Sequence, residues 1–223
     1  MFPRDIDTHD RFFKSGITSQ FCGNPMFDGM VSSIRPCESN GLALLPGSRH
    51  EMAGNLQRLL AVIAQVTFTK PMVVRLGIAS HIDISTVWPT INADGWRLLE
   101  ASTGQQLVHD ATKRTIEVSH QFFDVLQQST VVLGLAGTAN EQAMKAKRHV
   151  ISFIGTGPQS TKQRFLQQSE LIDGAKYTFI DSADPVSIAT QVSNYVNSEK
   201  LRWVDIATIE QYAARDIASK ILN

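Results

Sequence analysis

The chain has 223 residues, 43% of them hydrophobic and 19% charged, with 21 Lys and Arg balanced by 21 Asp and Glu. At this length roughly 70% of the surface of the unfolded chain can be buried, so the composition provides a real core and excludes intrinsic disorder. Zero formal net charge excludes a nucleic acid held by bulk attraction, and any anionic ligand has to be bound locally.

In chain order, a mixed helical stretch near Thr8–Ser15 is followed by a turn-rich run, Cys22 to Gly29, and residues 1–40 show no core of their own. After about position 40 short apolar runs alternate with longer periodic ones, the pattern of an α/β protein with a parallel sheet. Strands are predicted at Leu42–Leu45, Met72–Leu76, Thr115–Val118, Val131–Leu133, Val150–Phe153 and Tyr177–Ile180, short and β-branched or aromatic as buried parallel strands are. Helices are predicted at Glu51–Val66, where Met52, Leu56, Leu59, Leu60 and Ile63 recur every three or four residues, and at Phe122–Gln127, Ala139–Ala146, Lys162–Gln168 and Pro185–Asn197. The last has Asp184 as N-cap and proline in its first turn. A tail helix over Val204–Leu222 carries Ile206, Ile209, Ala213, Ile217 and Ile221 on one stripe.

Cys22 and Cys37 lie outside any C-x-x-C spacing, which implies neither a disulfide framework nor a thiolate metal site and fits a reducing compartment. His9, His50, His81, His109, His120 and His149 are scattered and form no H-E-x-x-H pair, so no metal is assigned. No apolar run approaches the roughly 20 residues that span a bilayer, and the opening MFPRDIDTHDRFF is too polar for a signal peptide. The expectation is a soluble, cytoplasmic protein. Peripheral contact with an inner membrane surface stays open, because a lipid can be approached without a spanning helix.

Two segments carry chemistry. Leu42 to Leu45 runs into Pro46-Gly47-Ser48-Arg49 and then a helix, a strand–turn–helix arrangement suited to an anion: Gly47 lets the backbone approach, helix N–H groups attract negative charge, and Arg49 offers a forked pair of donors. A diphosphate is the natural guest, although the turn is equally readable as a plain connection bearing a solvated arginine. It is not a GxxxxGK[ST] phosphate loop. In the second segment, Val131 to Gln142, a strand again leads through a small-residue turn to a helix, with Gly134 and Gly137 permitting close approach. Thr138 and Glu141 have capping-box spacing, so Glu141 reads either as a cap or as an acceptor for ribose hydroxyls.

Together GNPMFDGM at 23–30, LLPGSR at 44–49, Gly95-Trp96, the Phe122/Phe123 to Leu126 stretch, AGTANEQ at 136–142 and GTGPQ at 155–159 resemble the lipid-A-disaccharide-synthase-related proteins. Order and spacing agree over nearly the whole chain. LLPGSR and AGTAxEQ in this order are fairly specific; GNPMxDG and GxGPQ point to the related subfamily rather than to lipid A disaccharide synthase itself. The resemblance implies a GT-B glycosyltransferase, in which two Rossmann-like domains face each other across a cleft and the C-terminal one binds the sugar donor. It implies that 41–200 is the nucleotide-sugar-binding Rossmann-like domain, with helices on both faces of a parallel sheet. Residues 1–40 would be the remnant of an acceptor-binding domain plus a linker, and 201–223 a helix that packs on that domain.

Carried over by position, Gly47, Ser48 and Arg49 meet the diphosphate, Gly137 and Thr138 sit beside phosphates or sugar, and Glu141 meets the ribose. Ser119 to Phe122 is where such domains hold the base, and Gln142 and Gln159 face the donor sugar. The donor is a nucleotide diphosphate sugar, UDP-linked by resemblance, and the acceptor lipid-like. No cofactor or metal is implied, since such enzymes stabilise the departing diphosphate with a helix dipole and basic residues. Asp5-Ile6-Asp7 reads DxD but follows no buried strand. The catalytic base belongs to the other half, and none of Asp5, Asp7, Asp10 and Asp28 is marked as one. The isolated chain is therefore expected to be inactive, completed by an N-terminal-domain polypeptide or self-associated through its tail. Two rival readings are half of a UDP-sugar 2-epimerase and a non-catalytic nucleotide-sugar-binding remnant.

Overall fold

The computed structural model describes residues 1–28, 30, 40–91, 93–172, 174–198 and 212–222, without the side chain of Gln159. Eight strands form one sheet: β1 (Gly41–Leu45), β2 (Val73–Gly77), β3 (Trp96–Ala101), β4 (Gly104–His109), β5 (Thr115–Ser119), β6 (Val131–Gly134), β7 (His149–Phe153) and β8 (Tyr177–Ile180), in the order β3-β4-β5-β2-β1-β6-β7-β8. All six predicted strands are present. They pair in parallel with one another, with Leu42 opposite Val74 on one side and Val131 on the other. Counted among themselves they run 3-2-1-4-5-6, the order of dinucleotide-binding sheets, whose direction reverses between β1 and β6.

The helices are α1 (Ile6–Lys14), α2 (Met52–Ile63), α3 (Ile84–Val87), α4 (Phe122–Gln127), α5 (Thr138–Lys145), α6 (Lys162–Glu170), α7 (Pro185–Val196) and α8 (Ala213–Leu222). Both sheet faces are covered, which is why the central strands are apolar at every position. On one face Leu42, Leu44, Val131, Leu133, Ile151 and Phe153 pack with Leu56, Leu59 and Ile63 of α2 and with Ile188 and Val192 of α7. On the other, Ala43, Leu45, Val132 and Val150 pack with Val125 of α4, Met144 of α5 and Phe165 of α6. Asp184 caps α7 as expected, accepting from the Ser187 amide at 2.8 Å.

The antiparallel hairpin β3–β4, which closes onto β5, has no counterpart among the predicted elements. Its strands lie at the sheet edge and carry Arg97, Glu100, Gln105 and Gln106, so no continuous apolar run marks them. The Gly95-Trp96 pair anchors it. Trp96 is buried and donates from its indole to the Leu60 carbonyl of α2 at 3.3 Å. Gly95 has φ of 72°, and a Cβ there would come within 2.9 Å of the His109 ring. Across the same layer Arg114 closes the C-terminal end of α2, donating to the carbonyls of Ile63 and, at 2.7 Å, Val66.

The stretch at residues 24–28 is fastened to the α5 face. Asn24 accepts from the Met26 amide at 3.1 Å and starts a single 3₁₀ turn, Pro25–Phe27, which buries Phe27 beside Met30. Asp28 accepts from the amides of Ala213 and Ala214 at 3.0 and 2.7 Å and thereby caps α8. Within α8 Ala213 is buried, whereas Ile221 and Leu222 are exposed. Ile206 and Ile209, the start of the expected tail stripe, lie outside the described residues, as does Cys37. Asp5 and Asp7 form no metal-binding pair: Asp5 is the N-cap of α1, bonded to the Thr8 amide at 2.7 Å and to its hydroxyl at 3.0 Å. No helix among the described residues is long and apolar enough to cross a membrane.

Candidate functional site

A cavity of about 590 Å³ opens at the carboxyl ends of β1 and β6, where the strand order reverses. Open α/β sheets bind ligands at this place, because neighbouring crossover helices depart to opposite faces and leave a crevice between them. The turn after β1 supplies Pro46, Gly47, Ser48 and Arg49; the turn after β6 supplies Leu135 to Ala139. Gly47 has φ of 95°, in the left-handed region, and its missing Cβ would stand 3.8 Å from the Ala136 Cα, so the two turns lie against each other. Ser48 and Arg49 are exposed toward the opening.

The helix starts after β1 and β6, like that of α4, whose N-cap position Gln121 makes no side-chain bond, differ from the capped helices. The N-cap positions of α2 and α5 are Glu51 and Gly137, and neither end has a side-chain cap. By contrast α1, α3, α6 and α7 are capped by Asp5, Asp83, Thr161 and Asp184. Apart from the amides of Met52 and Asn140, bonded to the Arg49 and Gly137 carbonyls, those of the first turns of α2 and α5 are thus open to an anion lodged between them, with the helix dipoles adding attraction.

Thr138 is not the cap that the sequence suggests. The amides of Asn140 and Glu141 both point to the Gly137 carbonyl, so α5 begins one residue earlier and Glu141 falls at the fourth position rather than the third. The capping box is lost. Glu141 instead lies only 3% exposed at the cavity wall, paired with Arg4 at 3.5 Å. Burial raises its carboxyl above the ordinary glutamate value, while Arg4 and Arg164 pull the other way.

Of the residues singled out in the sequence, Gly47, Ser48, Arg49, Phe122, Gly137, Thr138, Glu141 and Gln142 line this one cavity. Ser119 stands just behind the lining, with its carbonyl accepting from the Ile78 amide at 3.0 Å and its hydroxyl from the Gln121 amide at 3.1 Å. Gln142 donates to the Met26 carbonyl at 3.0 Å and so also ties α5 to the GNPM segment. Gln159 has its backbone in the loop after β7, and its side chain lies outside the described residues. Arg4, Asn55, Ala79, Ser80, Thr156 and Arg164 line the cavity without having been marked. Arg4 and Arg164 sit on elements with no motif, and only the fold carries them here. Asn55 was legible as a polar residue on the apolar stripe of α2, between Met52 and Leu56.

These features define a Rossmann-like α/β domain, a central parallel sheet with helices on both faces and an anion-suited crevice at the reversal of strand order. Among solved structures that align with this chain, those with TM-scores above 0.5 share that fold. A Staphylococcus aureus MnaA structure with UDP aligns over 99% of this chain and 59% of its own, with TM-score 0.58 and 11% identity. The Methanocaldococcus jannaschii UDP-GlcNAc 2-epimerase, in complex with UDP-GlcNAc and UDP, aligns over 100% of this chain and 60% of its own, with TM-score 0.56 and 14% identity. The calicheamicin glycosyltransferase CalG4 aligns over 94% and 45%, with TM-score 0.43 and 16% identity. This chain therefore spans about 60% of the length of the first two. No protein-family model matches the sequence, and no curated protein matches it.

Proposed function

We propose that the cavity binds a nucleoside diphosphate sugar, UDP-linked, and that this chain is the donor-binding half of a GT-B-type sugar-nucleotide enzyme. The observation that carries the reading is the meeting of two uncapped helix starts, α2 and α5, with Arg49 at the β1–β6 crossover. The MnaA and UDP-GlcNAc 2-epimerase structures, with TM-scores above 0.5, hold UDP or UDP-GlcNAc with UDP, in keeping with it. In this reading the diphosphate lies across the turns at Gly47–Arg49 and Gly137–Thr138, Glu141 takes the ribose hydroxyls, and the base lies toward Phe122 and the main chain after Ser119. The glycine-lined turns bring backbone N–H groups to the phosphate oxygens. Charge on the departing diphosphate is then stabilised by fixed backbone dipoles that need no rearrangement, with the Arg49 guanidinium beside them.

Two reactions start from that bound donor. Transfer of the hexosyl group to a lipid-like acceptor follows from the resemblance of LLPGSR and AGTANEQ to the lipid-A-disaccharide-synthase-related proteins. Epimerisation at C2 of the sugar is the second reading, favoured by the fold shared with the 2-epimerase. Each needs a positioned base, and no acid of this chain is assigned that role, so in both readings an opposing domain supplies it. Calorimetry with UDP tests the binding. NMR of a UDP-hexose incubated with the chain, with and without an acceptor-domain polypeptide, separates the reactions: a new anomeric product bonded to acceptor marks transfer, and an inverted C2 signal marks epimerisation. Failure of UDP and UDP-hexoses to bind at millimolar concentration refutes the assignment.

A further inference from the structure

Asn55, on the second turn of α2, is 3% exposed and uses every hydrogen-bonding position of its side chain. Its Nδ2 donates to the Pro46 carbonyl at 3.1 Å and to the Leu135 carbonyl at 3.4 Å. Its Oδ1 accepts from the Thr156 amide and from the Thr156 hydroxyl, each at 2.8 Å. Pro46 opens the turn after β1, Leu135 the turn after β6, and Thr156 stands in the loop after β7. One buried side chain therefore holds three of the loops that shape the cavity.

The loop after β7 is seated on this side chain with no slack. A Cβ at Gly155 would come within 2.8 Å of Asn55 Oδ1, and one at Gly157, where φ is 83°, within 2.4 Å of the Glu51 side chain. Ser160 adds a second tie, donating to the same Leu135 carbonyl at 3.0 Å. Two carbonyls on one end of the amide and two donors on the other fix which way it faces. An aspartate at this position would keep the acceptors for Thr156 and set a carboxylate oxygen against the carbonyls of Pro46 and Leu135.

We propose that Asn55 is a positioning residue: it locks the two turns flanking the crossover and the Gly155–Ser160 loop into one unit, so that an anion seated on the turns is felt in the loop. Buried amide networks of this kind act together, because each bond constrains the group that makes the next. The coupling to ligand rests on the proposed nucleotide binding, whereas the lock itself does not.

Amide hydrogen exchange on the full chain, with UDP as the probe, tests both. In the parent, saturating UDP slows exchange at Thr156 and Ser160 by about tenfold or more, since local opening there requires the locked unit to part. Asn55→Ala speeds the Thr156 amide by about tenfold without ligand and abolishes the UDP-dependent slowing, while amides of α7 such as Val192 stay as in the parent. Asn55→Asp keeps the Thr156 amide slow yet weakens UDP binding by about tenfold, a separation that loss of folding does not produce. If Asn55→Ala does not fold, Asn55→Asp decides, because it keeps the acceptor for the Thr156 amide and removes the donors to Pro46 and Leu135. UDP affinity within about twofold of the parent in Asn55→Asp, or UDP-dependent slowing that persists in Asn55→Ala, overturns the proposal. A parent that binds no UDP refutes the proposed function instead, and ligand-free exchange in Asn55→Ala still decides whether Asn55 is the lock.

Discussion

Replacing Glu141 with glutamine separates a ligand contact from a structural one, because the two roles now predict opposite signs. The carboxyl is buried and its proton is held more tightly in the folded state than in the unfolded one. A group of this kind contributes stability below its unfolded value, and that contribution is lost as pH rises through the folded value; at neutral pH the ionised side chain is a net cost. Its partner Arg4 is 44% exposed along its side chain and 3.5 Å away, so breaking the pair removes well under about 1 kcal/mol. Glu141→Gln should therefore melt at the parent temperature or up to about 3 °C higher for a domain of this size at pH 7, with the difference vanishing toward pH 4. A carboxylate that accepts from ribose hydroxyls is worth about 1.5–3 kcal/mol, so UDP affinity should fall about 10- to 150-fold. Calorimetry and thermal melts on one sample give both numbers. A variant that melts several degrees lower and binds UDP within about twofold of the parent would show that Glu141 braces the fold and takes no part in the site.

Arg49→Ala should weaken UDP binding by about 1.5–3 kcal/mol with little change in melting temperature, because Arg49 is exposed; unchanged affinity removes the Pro46–Arg49 turn from the site. Asp28→Ala should cost about 1 kcal/mol and speed amide exchange through Ala213–Leu222, since both cap bonds to α8 are lost; exchange confined to parent rates would mean that α8 is held by other contacts. His149 is half-buried against Tyr195, with ring centroids 4.4 Å apart, and desolvation together with Lys176 lowers its pKa to about 4. The fold thus keeps it neutral, and its contribution is complete above the unfolded value of about 6.5 and lost as pH falls from there to about 4. His149→Phe should flatten that part of the stability profile, by about 2 kcal/mol after allowing for partial exposure of the ring, and an unchanged profile would place the acid sensitivity elsewhere.

Much of the architecture was written locally in the sequence. Buried parallel strands are short, apolar and bounded by turns, so Leu42–Leu45 and Val131–Leu133 are recognisable from composition alone, and the stripe of α2 follows from its own periodicity. The two turns were legible for the same reason: a strand that ends in glycine before a helix leaves few conformations, and Gly47 adopts the one that only its lack of a Cβ makes easy. The hairpin β3–β4 escaped because half-exposed edge strands carry mixed residues, and what holds them is Trp96 on Leu60, a contact 36 positions apart. The start of α5 was misplaced by one residue because Thr138 and Gly137 compete for the cap, and the Gly137 carbonyl decides it. Strand order, and with it the union of two distant turns in one crevice, came only from packing: no local signal says that Gly47 will lie against Ala136 or that Asn55 will reach Thr156. Those contacts span long stretches of chain, and the energy that selects them is the burial of both sheet faces at once, a property of the whole domain that no window of sequence contains.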